Sequence, residues 1–241
     1  MKQNEYIGYV ISRNNINDSD RIITIFTHEL GKKSFIAKGI RKPKAKLQSQ
    51  LEPLVESKFR ALGNSKLPTL VSAFNINKNL FFEASTEVNI SALFVTEIIN
   101  YFLMDSQPNN YIYEEYSKFL QKIISTENTS LCLSYYLLKI LSGFGLEPDI
   151  NPGLETYWID IDEGVISGVR HANSISIPKD VVKLWSVCLN SESSIIDRLK
   201  IKDSILVESL NLLISYISQH ADRKIKSTKV LMDSTSLLQA G

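Results

Sequence analysis

A dense run of basic side chains is the part of the sequence with the clearest chemistry. Between Gly31 and Lys46 the chain carries seven Lys or Arg residues and no Asp or Glu. These residues are Lys32, Lys33, Lys38, Arg41, Lys42, Lys44 and Lys46. Closely spaced cations attract a polyanion, because each one that neutralises a nucleic-acid phosphate releases a condensed counterion. The run, called the basic strip below, predicts a nucleic-acid contact, and a solvated protein surface is the alternative.

Two segments resemble known ligand-binding loops but lack a required residue. Gly31-Lys32-Lys33-Ser34 is similar to the end of a phosphate-binding loop, whose first glycine would stand where this chain has Phe26. The segment from Asp160 to Gly164 resembles the start of a calcium loop, but His171 occupies the position of the closing glutamate. A hairpin turn explains the second segment better.

The histidines and cysteines are too scattered to predict a metal site. His28, His171 and His220 are isolated, without the i, i+4 spacing of a zinc-binding helix. Cys132 and Cys188 lie in apolar surroundings, which indicates reduced thiols in the core. We therefore expect no catalytic residue, no metal and no cofactor, and a hydrolase or transferase built from distant residues is the least favoured alternative.

Short strands surround the basic strip. A period of two, interrupted by turn residues, predicts five strands. They are Glu5 to Arg13, Arg21 to His28, Lys33 to Gly39, Pro53 to Leu62, and Leu67 to Ile76. Five strands with a non-strand, helical excursion between the third and fourth are typical of a small closed barrel such as the OB-fold. The strip then lies on a defined surface of a barrel.

OB barrels bind single strands by stacking bases on aromatic rings while basic side chains follow the phosphates. Lys58 and Arg60 fall on the outward face of the fourth predicted strand. We therefore predict that the last five cations of the strip contact phosphates, namely Lys38, Arg41, Lys42, Lys44 and Lys46, with several additional cations. The additions are Arg21, Lys32, Lys33, Lys58 and Arg60. Tyr9 and Phe35 are the predicted stacking residues, while most other aromatic side chains are expected in the core.

After Asn79 the apolar period becomes that of a helix. Five helices are predicted: Ser85 to Phe102, Tyr111 to Ser125, Leu131 to Phe144, Val181 to Leu189, and Asp203 to Gln219. A non-helical insertion at 149–178 contains a predicted hairpin of Tyr157 to Ile161 and Val165 to Val169. The tail from Lys224 is expected to fray. The fold class is α+β, with an OB-fold domain over 1–80 and an α-helical domain over 81–241.

The net charge of the chain also changes sign near residue 80. Residues 1 to 80 hold 14 basic and 6 acidic side chains, whereas residues 81 to 241 hold 13 basic and 20 acidic ones. This segregation favours nucleic acid on the first part and protein partners or solubility for the second. No uncharged apolar run approaches the roughly 20 residues of a membrane span, so we expect a cytoplasmic protein that does not bind membranes.

Several segments together resemble the RecO recombination mediators. They are Asp18 to Thr27, Gly31, Ala37 to Lys44 and Leu51-Glu52-Pro53, followed more loosely by Leu141 to Asp149 and His220 to Ser227. The family's architecture is an OB-fold followed by an α-helical domain. The resemblance implies a non-enzymatic, nucleoid-associated protein that binds single- and double-stranded DNA and anneals complementary strands. RNA binding or scaffolding without annealing is the alternative.

The resemblance also implies protein partners. With RecR, such proteins help to load RecA on DNA coated by single-stranded-DNA-binding protein, and RecF is a further candidate. The acidic, apolar tail of single-stranded-DNA-binding protein docks on the helical part, where Arg223 and Lys224 are candidate contacts. Many members carry a four-cysteine zinc site after the segment that ends in Pro148-Asp149. No cysteine occurs between Asp149 and Asn173 here, so we predict a zinc-free branch held by packing of Tyr157, Trp158, Ile159 and Val165.

Overall fold

A computed structural model describes residues 3–43, 45, 47–63, 65–151, 153–221 and 224–237. The chain forms two compact units. One comprises residues 1–85 with 95–114, and the other comprises residues 86–94 with 115–241. Among the described residues, no helix is both long enough and apolar enough to cross a membrane.

The first unit contains a closed five-stranded barrel. Its strands are β1 (Gln3–Asn15), β2 (Arg21–Thr27), β3 (Gly31–Ala37), β4 (Glu56–Leu62) and β5 (Thr69–Asn75). They are ordered β1-β2-β3-β5-β4 around the barrel; β3 and β5 pair in parallel, and the other described strand pairs are antiparallel. The predicted OB-type barrel is therefore confirmed, with strand ends that differ from the prediction by a few residues.

Apolar side chains that alternate with polar ones along the strands form the core of the barrel. Ile23, Ile25, Phe35, Phe59 and Ala73 point inward and are fully buried. Burial of apolar surface at about 25 cal/mol per Å² makes this interior the main source of the barrel's stability. A one-residue shift in any strand would expose its inward set, so the register is strongly specified.

The connection between β3 and β4 differs from the prediction. A helical excursion was expected there, and the helical structure among its described residues is one 3-10 turn, Gln48–Gln50. Its N-cap residue, Leu47, provides no side-chain hydrogen bond, and a helix this short lacks the cooperativity that stabilises longer ones. β4 begins at Glu56 because Leu54 has a φ of 71°, a left-handed conformation that interrupts extended backbone.

The second unit is mainly helical. The helices of the chain are α1 (Thr86–Phe102), α2 (Asn110–Ser125), α3 (Thr129–Gly143), α4 (Lys179–Asn190), α5 (Asp203–Gln219) and α6 (Ser227–Leu237), with 3-10 turns at Leu80–Phe82 and Ser193–Asp197. α3 is buried along most of its length and packs against α4 and α5. Inside this core the indole of Trp185 donates to Ser209 Oγ at 2.8 Å. The predicted helices are confirmed.

The tail is more ordered than the sequence predicts. Helix α6 occupies Ser227–Leu237, so the expectation of fraying from Lys224 is wrong over that range. Ile225 and Leu231 are buried. Burial of these apolar side chains stabilises α6, because a short helix of polar composition is not stable by itself.

The insertion forms a small four-stranded sheet. Its strands are β6 (Asp149–Ile150), β7 (Trp158–Asp160), β8 (Val165–Ser167) and β9 (Ser174–Ser176), ordered β6-β8-β7-β9. The predicted hairpin is present as β7 and β8. Tyr157 and Ile159 are buried as expected, but Val165 is exposed and Ile166 is buried in its place. The prediction for Val165 was wrong by one residue, which in a strand reverses the face.

Candidate nucleic-acid interface

The exposed part of the basic strip lies where the chain leaves β3. Lys38, Arg41 and Lys42 are exposed in the turn that follows Ala37. Lys44 and Lys46, which the sequence also predicts as phosphate contacts, lie outside the described residues. The described cations of this turn are therefore accessible to a large polyanion.

Hydrogen bonds to the connection between β1 and β2 hold this turn in place. Asp20 Oδ1 accepts from the backbone N–H of Gly39 at 2.7 Å. Arg41 donates its backbone N–H to the carbonyl of Ser19 at 3.0 Å and a guanidinium N–H to the carbonyl of Asn17 at 2.7 Å. The Gly39 bond, followed by bonds from Asn17 and Ser19, holds the pKa of Asp20 below its ordinary value. The turn is thus a fixed part of the barrel surface.

Arg21 belongs to the same end of the barrel. It begins β2 opposite Ala37, the last residue of β3, and its Nε donates to Asn15 Oδ1 at 2.9 Å. The fold therefore brings Arg21 together with Lys38, Arg41 and Lys42. We call these four residues the loop-end cations. Several positive charges at one end create a local potential that attracts phosphate even though the whole chain is nearly neutral.

The side chain of Lys32 makes contacts within the protein. Its side chain is 16% exposed and lies 3.5 Å from Asp105, while Nζ donates to the carbonyl of Asn100 at 3.0 Å. Asn100 is in the last turn of α1, where a cation interacts favourably with the helix dipole. The prediction of Lys32 as a DNA contact is corrected for this reason. Lys33 is half-buried at the same end of β3, opposite Ile25 and distant along the strand from Lys38.

Lys58 and Arg60 share one acidic partner on the outer face of β4. Glu5 Oε2 lies 2.7 Å from Lys58 Nζ, and Glu5 Oε1 accepts from Arg60 Nε at 2.6 Å. The bond from Lys58, then that from Arg60, lowers the pKa of Glu5. Both cations remain about half exposed, so a phosphate would have to compete with Glu5 for them.

The two predicted stacking residues are buried, and that prediction is corrected. Phe35 points into the barrel and is fully buried. Tyr9 points outward, but it is only 4% exposed because the ring of Tyr113 covers it at 5.6 Å between centroids. Tyr113 is itself fixed by a 2.7 Å hydrogen bond that its hydroxyl donates to Glu56. Neither predicted ring offers a face to a base.

An exposed ring that the sequence did not single out is Phe74, on β5. It is 53% exposed and lies opposite Lys58 in the β4 and β5 pairing. A bulge in this pairing places two residues, Val71 and Ser72, between the inward-facing Leu70 and Ala73. Simple alternation from Leu70 would have turned Phe74 inward, so the exposure of Phe74 could not be predicted from the spacing of apolar residues.

Comparison with known proteins agrees with this architecture. A family model described as Recombination protein O N terminal matches residues 1–77, and one described as Recombination protein O C terminal matches residues 85–229. The chain belongs to the RecO family. A DNA repair protein RecO from Desulforamulus reducens is 21% identical over 96% of this chain and 94% of its own length. The RecO resemblance seen in the sequence is thereby confirmed.

Two other RecO proteins match over most of their length. The DNA repair protein RecO from Listeria innocua is 23% identical over 94% of this chain and 92% of that protein. The one from Dehalococcoides mccartyi is 24% identical and covers 83% of both chains. The chain is therefore a DNA repair protein of the RecO family.

The residues of the insertion do not fit the zinc site that many RecO proteins carry. The segment from Asp149 to Asn173 contains no cysteine, and the described residues contain no cluster of His, Cys, Asp and Glu suited to a metal. Cys132 and Cys188 are buried in the helical unit, where burial raises the pKa of each thiol to about 12. A protonated thiol is a poor zinc ligand, so no zinc chemistry is assigned to this chain.

Of the two residues predicted to contact a protein partner, one is described by the structure. Lys224 lines a groove of about 550 Å³ between the end of α5 and α6, whereas Arg223 lies outside the described residues. The other lining residues are Ser218, Ala221, Ile225, Thr228, Lys229, Met232 and Asp233. The groove thus combines apolar surface with two ammonium groups and one carboxylate.

Proposed function

We propose that this RecO-family protein is a non-enzymatic recombination mediator that binds single- and double-stranded DNA and anneals complementary strands. In this proposal it acts at the nucleoid and, with RecR, helps to load RecA on DNA coated by single-stranded-DNA-binding protein. One observation carries the proposal: Arg21, Lys38, Arg41 and Lys42 are gathered at one end of the barrel by hydrogen bonds between two loops.

The chemistry of annealing supports the assignment of this surface. Two complementary strands repel each other through their phosphates, so a protein that brings them together must neutralise charge on both backbones. Exposed Lys and Arg side chains do so without occupying the base edges that must pair. In this proposal residues 1–80 supply the DNA surface and residues 81–241 supply the protein contacts.

The decisive experiment removes three charges of the strip. In the variant Arg41→Gln, Lys42→Gln, Lys44→Gln we expect weaker binding to all DNA sequences alike. The slope of log affinity against log salt should flatten by about one unit for each lost phosphate contact. Fluorescence anisotropy with labelled single strands and duplexes over a salt series measures both quantities, and a strand-annealing assay measures the functional loss.

A matched control removes the same charge from the helical unit. Arg198, Lys200 and Lys202 are exposed, and replacing all three with Gln should leave the salt slope unchanged. Equal affinity and slope in the strip variant and the native protein would refute the assignment. Native affinity for DNA without annealing of coated strands, or a preference for RNA over matched DNA, would favour the scaffolding or RNA-binding alternative.

We place the acidic, apolar tail of single-stranded-DNA-binding protein in the groove beside α6. Lys224 and Lys229 would receive its carboxylates, and Ala221 and Met232 its apolar side chains. A labelled tail peptide should bind the native protein and lose affinity with Lys224→Glu. Retained affinity in that variant would place the tail elsewhere.

A further inference from the structure

An aromatic ring and a cation lie side by side on the outer face of the barrel. Phe74 on β5 is 53% exposed and is opposite Lys58 on β4. On its other side Lys58 is opposite Ile7 on β1, which is 37% exposed. The three residues form a row across β1, β4 and β5 that exposes an aromatic ring, an ammonium group and an aliphatic side chain to solvent. We call it the Phe74 row.

The neighbouring row carries charge. Glu5, Arg60 and Ser72 lie opposite one another on the same three strands. Glu5 bonds to both Arg60 and Lys58, so the two cations are held on this face. A phosphate arriving here would find cations already positioned, and it would need only to displace a solvent-exposed carboxylate.

The usual nucleic-acid face of an OB barrel is closed at one end in this chain. OB barrels take oligonucleotides on the face of strands 2 and 3. Here Phe26 on that face is fully buried, with its ring 5.2 Å from that of Tyr113. The backbone N–H of Ser106 also donates to the carbonyl of Lys32 on β3 at 2.8 Å. Unpaired bases cannot reach this end of the face, whereas the Phe74 row is exposed.

We propose that Phe74 is a stacking platform for an unpaired base of single-stranded DNA, with Lys58 and Arg60 binding the adjoining phosphates. The inference rests on the proposed DNA binding and adds a surface that is selective for single strands. An exposed ring next to cations is the combination that binds single strands without sequence preference, because every base has a flat face. Duplex DNA keeps its bases stacked and would not use the ring.

The test compares two exposed phenylalanines. Phe74→Ala should weaken binding of a labelled oligothymidine by about 5- to 100-fold, the range that loss of one stacked base produces. Binding of a matched duplex and the salt slope should not change, because no phosphate contact is lost. Phe82 is 79% exposed in the turn after β5, and Phe82→Ala is the matched control that should bind like the native protein.

Phe74→Trp gives an independent readout. This variant should retain the affinity for the oligothymidine. Stacking should quench the fluorescence of the new indole, so binding should lower the fluorescence of the variant more than that of the native protein, which has two tryptophans. An oligonucleotide without bases should bind the native protein and Phe74→Ala equally. The tryptophan variant keeps a ring at the position, so it also tests the proposal if the alanine variant folds poorly.

Each contrary outcome has a distinct meaning. Native affinity of Phe74→Ala for the oligothymidine would overturn the stacking role while leaving the proposed function intact. Equal losses for single strand and duplex would also overturn it. If Phe74→Ala keeps its DNA affinity but loses a protein partner, the surface belongs to that partner. Failure of the native protein to bind any DNA would instead refute the proposed function.

Discussion

Asp20 connects the two loops that carry the loop-end cations. Its carboxylate accepts hydrogen bonds from the backbone of Gly39 and from the side chain of Asn17. One acidic residue thus fixes the direction in which the chain leaves β3 and enters the basic strip. It also lies close to Lys38, whose charge helps to lower the pKa of Asp20. The carboxylate of Asp20 therefore holds the basic surface in its conformation, although its charge is opposite to that of the surface.

We predict that Asp20→Ala lowers both stability and DNA affinity. Because the folded protein lowers the pKa of Asp20, its contribution to stability is full above the ordinary Asp pKa of about 4 and is lost as the pH falls through the lowered value. The difference in urea midpoint between the variant and the native protein should therefore be largest near pH 7 and shrink towards pH 3. Asp18→Ala, at an exposed neighbouring residue, is the control. A difference that does not depend on pH would contradict the role of the charged form.

Among the elements, the insertion sheet is held by side-chain packing and hydrogen bonds. Ile159 and Ile166 are fully or almost fully buried beneath the sheet. At its edge Gln219 of α5 donates to Asp162 at 2.7 Å, and the guanidinium of Arg170 lies 5.0 Å from the ring centroid of Trp158. Gly164 approaches the hydroxyl of Tyr216 so closely that a Cβ would overlap it. These contacts anchor the sheet to α5.

We predict that removal of divalent metal leaves the fold unchanged. Structural zinc contributes about 10 to 16 kcal/mol of folding free energy where it is bound, so chelation would sharply lower the thermal midpoint of a zinc-dependent insertion. Elemental analysis of the purified protein should find no stoichiometric zinc, and EDTA should not shift the midpoint measured by circular dichroism. One zinc per chain, or a lower midpoint in EDTA, would contradict this prediction.

At the scale of the whole molecule, the net charge differs in sign between two parts of the chain. Residues 1 to 80, which form the barrel, hold 14 basic and 6 acidic side chains, and the remainder is acidic. This arrangement concentrates the attraction for phosphate on the barrel, because an acidic surface repels a polyanion. In the helical unit Lys224 and Lys229 stand near each other in the groove beside α6. Our proposals for DNA and for an acidic peptide thus use separate cations.

The amino-acid sequence was sufficient for what depends on local periodicity. Five strands and the change to helices after residue 79 follow from apolar spacing, and these strands place most of the basic strip at the end of the third strand and beyond it. That spacing repeats every two residues in a strand and about every 3.6 residues in a helix, so it can be seen without knowing the partners. The family resemblance likewise depends on residues that are close together in sequence.

Only the tertiary structure decided which of the predicted side chains can reach a ligand. Tyr9 faces outward on its strand, yet Tyr113 covers it. The ammonium group of Lys32 donates a hydrogen bond to the carbonyl of Asn100. In the same way, Glu5 binds both Lys58 and Arg60, and a bulge in β5 exposes Phe74. Exposure is set by residues far away in the chain, and periodicity carries no information about such contacts.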